Sequence, residues 1–292
     1  MTCASVSTVV GSEVITGPEY EKRGYSGTVA ATAGQAGAVV DRLFSEPRLA
    51  ELYDVFCSWG QRDDFDFYLP LLMSAPTVLD VGCGTGVLLH GARDAGHRGH
   101  LVGLDPADAM LEHARTRADI EWICGDLLSL DGLSLDWVRA FDLVVMTGHA
   151  FQVFVDERQL RASLAVIRSL LADDGRFAFE TRNQRARAWE RWTPEHAVDV
   201  VRADGSVVRM THDVETPVDG DLVSFTSTYS SPGWDEPRVS RSTLRFVGAD
   251  ALASLLGDAG MVIDQQFGDW DGRPLTDTSP EIITIARRDQ ER

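Results

Sequence analysis

Three glycines at alternate positions close the run Val78-Leu79-Asp80-Val81-Gly82-Cys83-Gly84-Thr85-Gly86. This stretch limits the chain more than any other. Its first four residues suit a strand, and the residues that follow, Val87 to Arg93, suit a helix. Strand, glycine turn and helix in that order open a nucleotide-binding α/β domain. A tight strand-to-helix turn needs backbone angles that are costly for a residue with a Cβ, and glycine supplies them. The free N–H groups at the start of the helix then face the ligand. The spacing is G-x-G-x-G. The dinucleotide fingerprint is G-x-G-x-x-G, and Val87 stands where its third glycine would be. The residues of this loop alone therefore leave the nucleotide open.

Three further motifs follow: Gly103-Leu104-Asp105-Pro106, Gly125-Asp126-Leu127 and Phe141-Asp142-Leu143-Val144-Val145. Their order, over roughly residues 50–185, resembles that of class I S-adenosylmethionine (SAM) dependent methyltransferases. The resemblance implies an α/β, Rossmann-like sheet of seven strands, the last one antiparallel, with helices on both faces. It also implies SAM as cofactor, S-adenosylhomocysteine as its product, and no metal. Asp80, Gly82, Cys83, Gly84 and Gly86 would form the cofactor loop, with Pro106, Met110 and Thr147 beside it. Asp105 would accept from the ribose hydroxyls. Gly125 and Asp126 would meet the adenine amino group, and the N–H of Leu127 a ring nitrogen. Tyr53-Asp54 resembles an element whose tyrosine contacts the SAM carboxylate. Each role has a plainer counterpart. Asp105 also suits the N-cap of a helix that Pro106 opens. Asp126 also suits a surface turn, and Tyr53 lies on an apolar helical stripe with Leu49, Leu52 and Phe56.

The chain divides into four parts on this reading. Residues 1–44 form a partly flexible arm, poor in charge at its start. Residues 45–192 form the SAM-binding core, entered through two helices, Arg48 to Trp59 and Asp63 to Met73. Within the core, Asp156 with Gln159 signals a capped helix over Glu157 to Ala172, which Gly175 is expected to stop. Residues 193–247 alternate like strands: Val207 to Val214, Leu222 to Tyr229 and Val239 to Phe246. Three antiparallel strands inserted there predict a β lid over the ligand edge of the sheet. In this architecture the chain is similar to small-molecule methyltransferases, sugar-amine and glycine N-methyltransferases among them. Residues 248–292 return to the core with a helix and the last two strands.

Candidates for chemistry sit where strands end, because open α/β sheets bind ligands beyond the carboxyl ends of their strands. His149 follows the fourth strand and suits a general base, another active-site contact or a structural role. Glu180, with Thr181, Arg182 and Asn183, follows the fifth; Glu180 and Tyr25 are weaker base candidates. Arg182 reads equally as a solvated loop charge. The formal charge of −18 argues against a nucleic-acid partner, which requires a basic surface. It leaves a small-molecule acceptor as the expected partner, and a homo-oligomer open. No apolar run approaches the ~20 residues that cross a bilayer, so no membrane role is expected. Four cysteines without a C-x-x-C pair, and a start lacking a signal-peptide pattern, point to the cytoplasm. The expected function is transfer of the sulfonium methyl group to N or O of a metabolite. A dinucleotide oxidoreductase and a non-catalytic SAM-fold partner protein are the alternatives.

Overall fold

The computed structural model describes residues 40–57, 62–129 and 137–290. Two short helices, α1 (Arg42–Ser45) and α2 (Pro47–Phe56), precede α3 (Asp64–Ser74). Strand β1 (Thr77–Val81) then leads through the glycine turn into α4 (Val87–Asp94). Three further strands follow: β2 (His100–Asp105), β3 (Glu121–Cys124) and β4 (Phe141–Met146), with α5 (Asp108–Ala114) between the first two. Next come α6 (Glu157–Leu170) and β5 (Leu171–Arg182). The lid strands are β6 (Val198–Val201), β7 (Val207–Val214), β8 (Leu222–Ser230) and β9 (Arg238–Arg245). Helix α7 (Ala249–Asp258) and strands β10 (Met261–Phe267) and β11 (Glu281–Arg288) complete the order.

The main sheet has seven strands in the order β10-β11-β5-β4-β1-β2-β3. β11 runs antiparallel to both neighbours, whereas β1 to β5 pair parallel. Successive residues of a strand point to opposite faces, and here both faces are covered. Val78, Leu143, Val145 and Ala178 meet Tyr68 and Leu72 of α3 and Leu89 of α4. Leu79, Val144, Phe177 and Phe179 meet Leu164 and Ile167 of α6 and Leu252 and Leu256 of α7. That double burial is why β4 reads as an unbroken apolar run. Strand order reverses between β1 and β4, and the crevice at that switch point places the site.

The second sheet, β6-β7-β8-β9, is antiparallel throughout. It has one strand more than the expected three, because β6 is only four residues long and carries little pattern. Leu49 and Leu52 of α2 bury one side of it against Val208 and Tyr229. Trp189, from a 3-10 segment after β5, and Trp192 beside it pack with Val223 and Phe246 farther along the same face, since Val223 and Tyr229 share one side of β8.

Two local expectations are corrected. Pro106 does not open a helix: α5 begins at Asp108 with Ala107 as its N-cap, and Pro106 is exposed. The Asp105 carboxylate instead takes the N–H groups of Ala107 and Gly84, a pull that holds the chain extended past the strand end. Gly175 does not stop α6. That helix ends at Leu170, and Gly175 lies within β5, where a Cβ would sit 2.6 Å from the Phe141 carbonyl oxygen. The Asp156 cap is present, accepting from the Gln159 N–H at 2.9 Å. Tyr25 lies outside the described residues.

Candidate active site

The cofactor half of the site is built by stitching the glycine turn to the end of β2. The N–H groups of Gly82 and Cys83 both donate to the Leu104 carbonyl, at 2.8 and 3.2 Å. The N–H of Gly84 donates to Asp105 Oδ2 at 2.8 Å, and that of Ala107 to Asp105 Oδ1 at 2.8 Å. Asp105 is thus a clip that sets the loop, and each oxygen keeps a lone pair for a further donor. Gly84 has φ +56°, and a Cβ there would come within 3.2 Å of the Met110 side chain. Gly86 differs in what it faces. A Cβ on it would lie 2.3 Å from the Trp122 ring, and one on Gly103 would lie 2.4 Å away. Those two glycines make room for an indole. Thr85 donates its hydroxyl to Asp54 at 2.7 Å, tying the loop to α2.

A pocket above this loop is lined by Tyr53, Arg62, Asp80, Cys83, Gly84 and Thr147, among others. Asp80 is 1% exposed, and its Oδ1 has no hydrogen-bond partner among the described residues. Burial raises its pKa to about 7. A buried carboxylate oxygen without a partner is costly, and a ligand ammonium group would satisfy it. Tyr53 is among the residues that line this pocket. It packs with Ala50 and Met110, while its hydroxyl would stand 3.4 Å from a Cβ at Gly148. Gly125 and Asp126 follow β3. Asp126 Oδ1 accepts from the N–H groups of Leu128 and Ser129, and the Leu127 side chain is buried in the core.

The other half gathers beyond β4, β5 and β11. His149 sits in the left-handed region, at φ 62°. Its N–H donates to Glu180 Oε1 at 2.6 Å, and the Tyr68 hydroxyl donates to Glu180 Oε2 at 2.5 Å. Glu180 is fully buried, so both of its oxygens are committed to holding the turn that presents His149. The imidazole Nε2 lies 3.0 Å from Glu281 Oε2. Burial first, and the nearby Arg182 next, lower the His149 pKa to about 3. Burial raises that of Glu281 to about 7 against the opposing pull of Arg182. The imidazole is therefore neutral at ordinary pH. Arg62 pairs with Asp64 and lies 4.2 Å over the Phe65 ring. Arg182 is half-buried, and donates to Gln152 Oε1 at 2.8 Å.

Sequence reasoning named His149, Glu180, Tyr53, Asp80 and Arg182; Tyr53 and Asp80 line the pocket over the glycine turn, and Glu180 accepts from the His149 N–H. It missed Glu281, Tyr68 and Arg62. Glu281 is 132 residues from His149 and sits at an ordinary strand start, so no local signal marks it.

Residues 78–175 match the family model described as a methyltransferase domain. The malonyl-[acyl-carrier protein] O-methyltransferase of Anoxybacillus flavithermus is 27% identical over 153 residues, which are 50% of this chain and 56% of that protein. The chain therefore spans little more than half of that curated relative. Among solved structures, a sugar N-methyltransferase from a Streptoalloteichus species superposes with a TM-score of 0.60 at 18% identity, covering 91% of this chain and all of that one. A SAM-bound amino pentose methyltransferase from Micromonospora echinaspora gives 0.59 at 22% identity, covering 82% and 95%. At these identities the likeness is one of fold, and the fold is that of class I methyltransferases.

Proposed function

We propose, for a chain whose residues 78–175 are a methyltransferase domain on the class I fold, that it transfers a methyl group from SAM to nitrogen or oxygen of a small molecule. The orphaned Oδ1 of Asp80 beside the clipped glycine turn carries this reading. The residues present fit the cofactor. Asp80 offers a carboxylate to its ammonium group, Asp105 keeps lone pairs for ribose hydroxyls, and Gly84 leaves the backbone open to approach. When bound, SAM supplies a sulfonium-activated methyl group. The relative acts on malonyl-[acyl-carrier protein] and the structural neighbours on sugars, which favours a small or carrier-borne acceptor.

The chain's own work is to position the acceptor and take its proton. With Glu281 ionised, His149 donates its Nε2–H to that carboxylate, and Nδ1 is left as the proton acceptor. Glu281 also stabilises the imidazolium as it forms. Glu180 acts through the backbone: with Tyr68 it fixes the left-handed turn at His149. Among the described residues no helix is long and apolar enough to cross a membrane, and cytoplasmic action on a diffusible acceptor suits the reading.

Calorimetry with SAM and S-adenosylhomocysteine on the purified chain is the first test. Micromolar binding of both is expected. A folded sample that binds neither would overturn the proposal.

A further inference from the structure

The carboxylate that faces His149 stands at the end of a ladder. Glu281 is the first residue of β11, and its pairing with Arg182 is the last rung between β11 and β5. Residues at a ladder's end open first, so that rung alone does not hold the side chain in one place. Residues 268–280 precede it, leaving the sheet after β10 and returning at Glu281. Their last turn is closed from within. The Ser279 N–H donates to the Thr276 carbonyl at 3.2 Å, and the Thr276 N–H donates to Ser279 Oγ at 3.0 Å.

Asn183, one residue past β5, grips this turn from outside. Its backbone N–H donates to the Pro280 carbonyl at 2.9 Å. Its Nδ2 donates to the Ser279 carbonyl at 2.8 Å, with the carbonyls of Thr276 and Asp277 at 3.4 Å. On the other side, Oδ1 accepts the Arg185 N–H at 3.0 Å and caps the 3-10 turn Gln184–Ala186. Three carbonyls on one side and an N–H on the other admit only this orientation of the amide. Asn183 is 4% exposed. No donor of Asn183 is left for a ligand, although its place after a strand end marks it as a pocket candidate. Its donors all go to the backbone of the turn that delivers Glu281.

We propose that Asn183 is a positioning residue: by holding the turn that ends at Pro280, its side chain sets the Glu281 carboxylate against the His149 imidazole. This deepens the methyltransferase reading and rests on it for the proton that His149 takes. The clamp itself does not depend on cofactor chemistry. Without the amide, buried carbonyls of the turn lose their donor and draw in water, and the end of the ladder loosens with them. Apart from His149, the charged groups around Glu281 are Arg182, Asp269 and Asp64. None of them is altered in the test, so a change at Glu281 traces to its placement and hydration.

The test follows two NMR signals of the full chain through a pH titration. One is the Glu281 carboxyl carbon, identified by its loss in Glu281→Gln. The other is the pair of His149 ring nitrogens. The wild type should titrate Glu281 near 7 and, above that midpoint, carry the His149 hydrogen on Nε2. Asn183→Ala should move the Glu281 midpoint toward its ordinary 4.5, by about one unit or more, and mix the two imidazole tautomers. Asn183→Ser is the milder variant. It keeps an oxygen for the Arg185 N–H but does not reach the three carbonyls, and it should show the same changes. Arg185→Gln breaks the exposed pair with Asp277 in the same turn and should move neither signal. A lower melting temperature with both signals unmoved, in either folded variant, would overturn the proposal and leave Asn183 a residue of the fold alone. The wild type supplies a reading that needs no variant: the Asn183 side-chain N–H signals should shift through the Glu281 midpoint. Signals that ignore that titration would also overturn the proposal. Failure of the same sample to bind S-adenosylhomocysteine would strike the cofactor reading, while the two titrations still decide the clamp.

Discussion

At the scale of single residues, the site combines buried acids whose charge depends on what binds them. Burial raises Asp80 from its ordinary value of 3.8 to about 7. The unfolded chain releases this proton near the ordinary value and the folded one only near 7. Stability from this group is therefore full below pH 3.8 and drains away as pH climbs to about 7. Asp80→Asn should make the cofactor-free protein more stable at pH 8, by about 1–3 kcal/mol, in denaturant melts. The same variant should bind SAM at least tenfold more weakly, since a charge-assisted bond is lost. A second residue-scale expectation concerns Glu281. Its raised pKa, near 7, predicts turnover that rises with pH through neutrality, because protonated Glu281 would donate to Nε2 and leave Nδ1 carrying the hydrogen. His149, with a pKa near 3, adds no limb in that range. Glu281→Gln should lower kcat by about a hundredfold and flatten the neutral limb of the profile, with SAM affinity unchanged. A profile that keeps its limb would remove Glu281 from the proton path.

At the scale of elements, the glycine turn has two separate demands on it. Gly82, Gly84 and Gly86 all take left-handed backbone, and Gly86, together with Gly103 of β2, also makes room for Trp122, whose indole lies across both. The Trp122 indole N–H donates to the Arg117 carbonyl at 2.9 Å and so cannot swing aside freely. Gly103→Ala should then cost on the order of 1–3 kcal/mol through overpacking. Adding Trp122→Ala should recover part of that loss, a non-additive result that a thermal-melt double-mutant cycle would read. The glycine spacing was legible in the sequence as a ligand loop. That the last of its three glycines, like Gly103 of β2, answers to a tryptophan distant in sequence was not, because the contact is made only when β2 and β3 pair. Pro106 shows the same limit. Its helix-opening signal is local, while one of the two N–H groups drawn to Asp105, that of Gly84, belongs to a loop placed by β1.

At the scale of the whole molecule, α2 joins parts that the chain separates widely. Its Leu49 and Leu52 pack on lid residues Val208 and Tyr229, while Asp54 holds Thr85 of the cofactor turn. That bridge predicts a coupling between ligand occupancy and lid order. Hydrogen exchange in α2, β7 and β8 should slow together when S-adenosylhomocysteine binds, and Asp54→Ala should reduce that shared protection. The parallel strands, the order of the motifs and the late antiparallel strand were all readable, since double burial and strand-end acids leave a mark in local sequence. The proposed acceptor chamber was only half readable. Its residues come from α2, α3, β4, β5 and β11, and side chains assembled from five elements share no spacing.

The position of β11 has an outcome for synthesis as well as for chemistry. It lies inside the sheet, between β5 and β10, and its first residue supplies the carboxylate for His149. A growing chain that has released the glycine turn and the lid still lacks an inner strand and the carboxylate that faces His149. Ribosomes add about 5–20 residues per second, so for about a second or more after β10 is made, β5 keeps one edge open and β10 has no strand to pair with. Neither is completed until residue 281 and the strand it begins have been made.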